Sequence, residues 1–124
     1  MKKSSEKLIS ALRRLQKQRH LLIQYLTDYR QMALGSVYRV RRKCGNPRCH
    51  CDRGRGHPQV LFLFKDDQGQ KRCKLVRKAD ESRMLKAGDS YKQWREAFKQ
   101  LRTIESRQRA ILLALLEERA IRYE

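Results

Sequence analysis

Acidic side chains are scarce in this chain: 13 Asp and Glu stand against 31 Lys and Arg. No glutamate occurs between Glu6 and Glu81. That gap excludes chemistry. Two-metal nuclease centres need converging carboxylates, and the middle of the chain offers only Asp52, Asp66 and Asp67, two of them neighbours in a turn. A zinc deaminase requires a glutamate beside its histidine, and none is present there. A G-x-x-x-x-G-K-[ST] phosphate loop is also missing, and Ser36 has no base near it in sequence. The chain is not expected to be an enzyme.

Long apolar runs are lacking too. None approaches the ~18 residues of a membrane span. The opening MKKSSEKLISALRR has neither an apolar h-region nor a small-residue cleavage site. The expectation is a cytoplasmic protein with reduced thiols, nucleoid-associated if it binds DNA, and one with no membrane partner.

What is present is concentrated in the stretch Cys44 to His57, CGNPRCHCDRGRGH. Its cysteines are spaced C-x4-C-x-C, and a histidine follows. Gly45, Pro47, Gly54 and Gly56 exclude a helix or a regular strand. The loop has almost no apolar content with which to order itself, while thiolates and imidazoles are the ligand set of tetrahedral zinc. Disulfides are the alternative, since the chain has 4 cysteines. Cys49 and Cys51, however, are too close in sequence to bridge each other comfortably, and nothing directs the chain to an oxidising compartment. The expected ligands are Cys44, Cys49, Cys51 and His57. Cys73, within an apparent strand, is the rival fourth ligand, and as a small buried apolar residue it needs no metal. His50 is a poorer rival, flanked by two ligands. Four protein ligands make the Zn2+ structural and leave no position for an activated water.

The segment Gly35-Ser36-Val37-Tyr38, then Cys44-Gly45-Asn46-Pro47-Arg48-Cys49-His50-Cys51, then His57-Pro58 and a hairpin, resembles a family of small bacterial and archaeal proteins of unassigned function. That family shares a GS(L/V) … CG-x-P-x-C-x-C … HGPY pattern followed by two strands and a helix. Its members are often encoded beside transposases of insertion sequences. The resemblance covers residues 34–78, and the terminal helices only in kind. Here His57 is followed directly by Pro58, without the glycine and tyrosine of the family pattern. The resemblance implies a metal knuckle and a link to mobile DNA, and no known activity.

At 124 residues the chain is expected to be one domain, with a core thin for its length at 40% hydrophobic residues. Residues 5–34 are predicted to form the first helix, with Ser4 or Ser5 as N-cap and Gly35 as its stop. Leu8, Leu12, Leu15, Arg19, Leu22, Leu26, Tyr29 and Ala33 make a 4,3,4,3 stripe broken only by Arg19. Residues 36–43 alternate as a strand, with Val37, Arg39 and Arg41 on one face and Tyr38, Val40 and Arg42 on the other. Gln59 to Lys65 is an apolar strand, Asp66-Asp67-Gln68-Gly69 a turn, and Gln70 to Lys78 the returning strand. The second helix is predicted over 80–122, with Asp80 near its start and a break or kink at Gly88-Asp89. Its stripe runs from Tyr91, Trp94 and Phe98 to Leu115 and Leu116. Ile111 to Leu116 is apolar all round, more than one partner helix can cover. The fold class expected is α+β: a long antiparallel helical hairpin, or coiled-coil stalk, carrying a three-stranded antiparallel sheet and zinc knuckle between its helices (residues 35–78).

Charge locates the partner. The net +18 favours a polyanion. Residues 35–78 hold thirteen basic and three acidic groups, against eight and two in residues 1–34 and ten and eight in residues 79–124. Arginine grips phosphate through a planar fork. The expected nucleic-acid contacts are Arg39, Arg41, Arg42, Lys43, Arg48, Arg53, Arg55, Lys71, Arg72, Lys74, Arg77 and Lys78. DNA is favoured over RNA, and a homodimer through the helices or docking on another protein is expected. An adapter whose basic face meets an acidic protein is the remaining reading.

Overall fold

A computed structural model of the chain describes every residue except Met1, Cys44, residues 51–53, Arg55 and Glu124, with Lys2 and Lys3 described by backbone alone. The element order is α1 (Lys2–Thr27), β1 (Gly35–Arg42), β2 (His57–Lys65), β3 (Lys71–Leu75), a 3-10 turn (Lys78–Asp80) and α2 (Glu81–Arg119). The fold is α+β, with two helices and one three-stranded antiparallel sheet. The chain separates into two compact units, residues 1–29 with 94–124, and residues 30–93.

In the helical unit, α1 and the later part of α2 run antiparallel. The Ser5 hydroxyl meets the Glu118 carboxylate at one end, and Trp94 Nε1 donates to the Leu26 carbonyl, 3.1 Å away, at the other. Leu15, Ala97, Leu101, Ile104 and Leu115 are buried along the seam, while Arg19 is exposed where the stripe breaks. Ser5 therefore lies inside the helix, bonded to α2, and is not its N-cap. The Ser5 and Ser4 hydroxyls hold the Glu118 carboxyl below its ordinary range.

The first helix ends at Thr27, seven residues before the predicted Leu34. Thr27 turns its hydroxyl back onto the carbonyls of Ile23 (2.8 Å) and Gln24 (3.3 Å), and Trp94 takes that of Leu26. Of the last-turn carbonyls, those of Gln24 and Leu26 thus accept from side chains and that of Tyr25 from the Asp28 amide (3.4 Å), partners such as a helix end requires. Tyr29, placed in the stripe, is 88% exposed beyond the helix. Gly35 does not stop a helix; it opens β1, paired with Phe64.

In the second unit the strand order is β1-β2-β3, a meander. Val37 lies opposite Phe62 and Tyr38 opposite Leu61, and Leu61 in turn lies opposite Leu75. The face carrying Val37 and Val60 packs on α2, where an added Cβ on Gly88 would come 2.9 Å from Val37 Cβ. Gly88 is therefore a close-approach residue within a continuous helix, and the chain does not break there. Val60, 1% exposed, is the best-buried side chain of this layer. The returning strand is shorter than predicted. It ends at Leu75, after which Val76 donates once more to the Val60 carbonyl (2.9 Å) and the chain turns into the 3-10 segment. The second helix likewise ends at Arg119 instead of 122.

The β2–β3 turn is built on Asp66. Its carboxylate accepts from the amides of Gln68 (3.0 Å) and Gln70 (2.9 Å) and from Arg72 Nε (2.9 Å). The Gln70 amide, then the Arg72 guanidinium, pull this carboxyl below its ordinary value.

Candidate metal knuckle and basic surface

Residues 43–56 connect β1 to β2, and the register brings the two ends of that connection together, with Arg42 opposite His57. Gly56 is pressed onto the backbone of Arg42 and Lys43 with φ of 86°, a close approach that no side chain would allow. Arg41 fastens the same point by donating to the Gly56 carbonyl (3.2 Å). Inside the loop Asn46 is the organiser. Its carbonyl accepts from the Cys49 amide (3.0 Å) and its side-chain oxygen from the Arg48 amide (3.0 Å), an Asx turn of the kind asparagine favours.

That turn aims Cys49 at the first residue of β2. Cys49 Sγ lies 3.1 Å from His57 Nε2, and the His50 ring meets His57 edge-on with centroids 5.5 Å apart. Zinc bonds of about 2.3 Å to sulfur and 2.0–2.1 Å to nitrogen, at the tetrahedral angle, hold such atoms roughly 3.5 Å apart. The pair therefore fits one zinc ion to within about half an ångström. Two of the four expected ligands converge. The other two, Cys44 and Cys51, lie outside the described residues, as do Arg53 and Arg55 among the expected nucleic-acid contacts. Among the described residues no group of three metal-binding side chains gathers.

Cys73 is carried away from this point. It is exposed and lies opposite Leu63. Leu63 is six residues along β2 from His57, roughly 20 Å of strand. A ligand there cannot share an ion with His57.

The basic side chains do not form a single surface. By the register, Arg39, Arg41, Arg72 and Lys74 fall on the face that carries Val37, while Arg42 and Lys71 fall on the other. All are exposed, as are Lys43, Arg48, Arg77 and Lys78. Arg72 is paired with Asp66 (2.9 Å) and Arg77 with Asp80 (3.7 Å). Lys74 Nζ stands 5.9 Å from the centre of the Phe64 ring. The Phe62 and Phe64 rings stack on each other at 4.8 Å, consistent with a packing role.

The sequence reading missed two features here, the Asn46 turn and the clamp of Arg41 on Gly56. The N-x-x-C spacing was the available signal for the first; the second depends on strand register and has none. No family model matches this chain, and neither the curated proteins nor the solved structures gave a match. None of the helices among the described residues is long and apolar enough to cross a membrane.

Proposed function

We propose that this is a non-catalytic, zinc-containing nucleic-acid-binding protein, a DNA-binding accessory factor of mobile elements that grips phosphates with its arginine-rich β unit. The observation that carries the reading is the charge of residues 35–78, thirteen basic against three acidic groups, with those basic groups that lie among the described residues all exposed. Among the described residues only Arg72 and Arg77 of this set have carboxylate partners. Such an excess of positive charge repels itself and is stabilised by a polyanion. In this reading zinc is held by Cys49 and His57 together with Cys44 and Cys51. The ion fixes the arginine-bearing loop, lowering the entropy cost of binding.

The test is a gel shift with duplex DNA, single-stranded DNA and RNA at two salt concentrations. Binding that weakens steeply with salt, and that is lost when Arg39, Arg42, Arg48 and Lys74 are neutralised together, supports the reading. Unchanged binding by that variant removes those four residues from consideration. Failure to bind any nucleic acid, with tight capture of one acidic protein, favours the adapter reading.

We propose further that the protein dimerises through α2. Leu113 and Leu116 are 60% and 64% exposed. A second copy laid antiparallel with Leu113 on the twofold axis would set Arg109 of each chain opposite Glu117 of the other, four residues either side of the axis. Such charge matching specifies register and orientation between helices.

A further inference from the structure

The face of the sheet turned away from Gly88 carries exposed apolar side chains. Across its middle run Tyr38, Leu61 and Leu75, and beside them Ser36, Leu63 and Cys73. Tyr38 and Leu63 are each 38% exposed and Leu75 62%, while Leu61 at the centre is buried. One end of this face carries Arg42 beside His57, the other Lys65 beside Lys71. No Asp or Glu occupies any strand position on it. The strand positions of this face thus make a largely apolar floor, with Ser36 and Gln59 as its polar members and Tyr38 as its exposed aromatic ring, edged by cations at both ends.

We propose that this face binds single-stranded nucleic acid, with an unpaired base stacked on Tyr38 and the flanking phosphates on Arg42 and on Lys65 and Lys71. The inference rests on the nucleic-acid reading above and narrows it. A duplex hides its base faces, so it has nothing to lay on the apolar rows. A single strand offers both halves of the match, since every base has a π-face and every linkage a charge. From the Arg42 row to the Lys65 row is eight residues of β2, roughly 26 Å, and three strands span roughly 10 Å. That is a track for one extended strand. A polyglutamate chain would satisfy the cations but carries no aromatic ring to stack on Tyr38.

The experiment is fluorescence anisotropy with a labelled oligothymidylate and a duplex of equal length, using the full chain and the variants Tyr38→Phe, Tyr38→Ala and Leu75→Glu. Tyr38→Ala should weaken single-strand binding by about tenfold or more with duplex binding unchanged, and Tyr38→Phe, which keeps the ring, should match the parent. Leu75→Glu, at an exposed edge position that tolerates a polar side chain, should also lose the single strand, and it decides the matter if Tyr38→Ala does not fold. If both nucleic acids bind and none of the variants changes single-strand affinity, the face assignment is overturned and the nucleic-acid reading stands. If neither nucleic acid binds the parent, both fall. A polyglutamate peptide that binds in a Tyr38-dependent manner overturns the assignment in favour of an acidic protein.

Discussion

Trp94 donates its indole N–H to the carbonyl of Leu26 across 3.1 Å, and this bond helps to close α1 one residue before its end. A last-turn carbonyl has no partner within its own helix, and the indole supplies one from α2. Trp94→Phe keeps a ring to stack on Phe98, whose centroid lies 5.2 Å away, and removes the donor together with part of the ring surface. The expected loss is about 1 kcal/mol, a fall in melting temperature of roughly 4 °C for a chain of this size. An unchanged melting temperature would mean that water satisfies Leu26 equally well.

Gly88→Ala sets two effects against each other. Alanine gains about 1 kcal/mol of helix propensity over glycine, but its Cβ would lie 2.9 Å from Val37 Cβ and 3.0 Å from Val37 Cγ2. Overpacking of that kind costs about 1–3 kcal/mol, so the variant should be less stable. Val37→Ala, which removes Cγ2 but keeps Cβ, should cost less on the Gly88→Ala background than on the parent, and a double-mutant cycle by denaturant unfolding measures that coupling. Additive single-site effects would show that β1 and α2 do not press on each other here.

Asp66 links hairpin stability to pH. Its carboxyl is held below the ordinary value by the Gln70 amide and then by Arg72. Because the folded-state value is the lower one, the stabilisation is present in full above the ordinary carboxylate range, about pH 4. It is lost as pH falls through the lowered value. Asp66→Asn should therefore show a shallower fall in denaturant midpoint than the parent between pH 5 and pH 2. Equal acid sensitivity in the two proteins would assign that sensitivity to other carboxylates.

For the metal knuckle, Cys49→Ser should lose zinc and destabilise the β1–β2 connection, whereas Cys73→Ser, roughly 20 Å of strand away, should retain it. Native mass spectrometry reads both. Retention of zinc by the Cys49 variant, or its loss by the Cys73 variant, would overturn the ligand set.

The dimer is tested by charge exchange. Arg109→Glu should shift the protein toward monomer in light scattering, and Arg109→Glu with Glu117→Arg should restore the dimer. A disulfide-linked dimer of Leu113→Cys under mild oxidation would place that residue on the axis. A parent that runs as a monomer ends the proposal.

The sequence was sufficient for features that depend on local chemistry and simple period. Alternation placed β1 within one residue of its observed start, the Asp66 to Gly69 turn is where its residues require it, and the apolar stripe put Leu15, Leu101 and Leu115 in the helical seam. Tertiary structure decided what depends on contact between distant segments. The first helix stops at Thr27, where Trp94, far along the chain, takes the Leu26 carbonyl. Gly88, a breaker by composition, is kept in a helix because Val37 leaves no room for a Cβ. The distance of Cys73 from His57 follows from strand register, which pattern alone leaves open because a strand can pair in more than one alignment. Propensity acts over a few residues, whereas a backbone group's partner can come from anywhere in the chain.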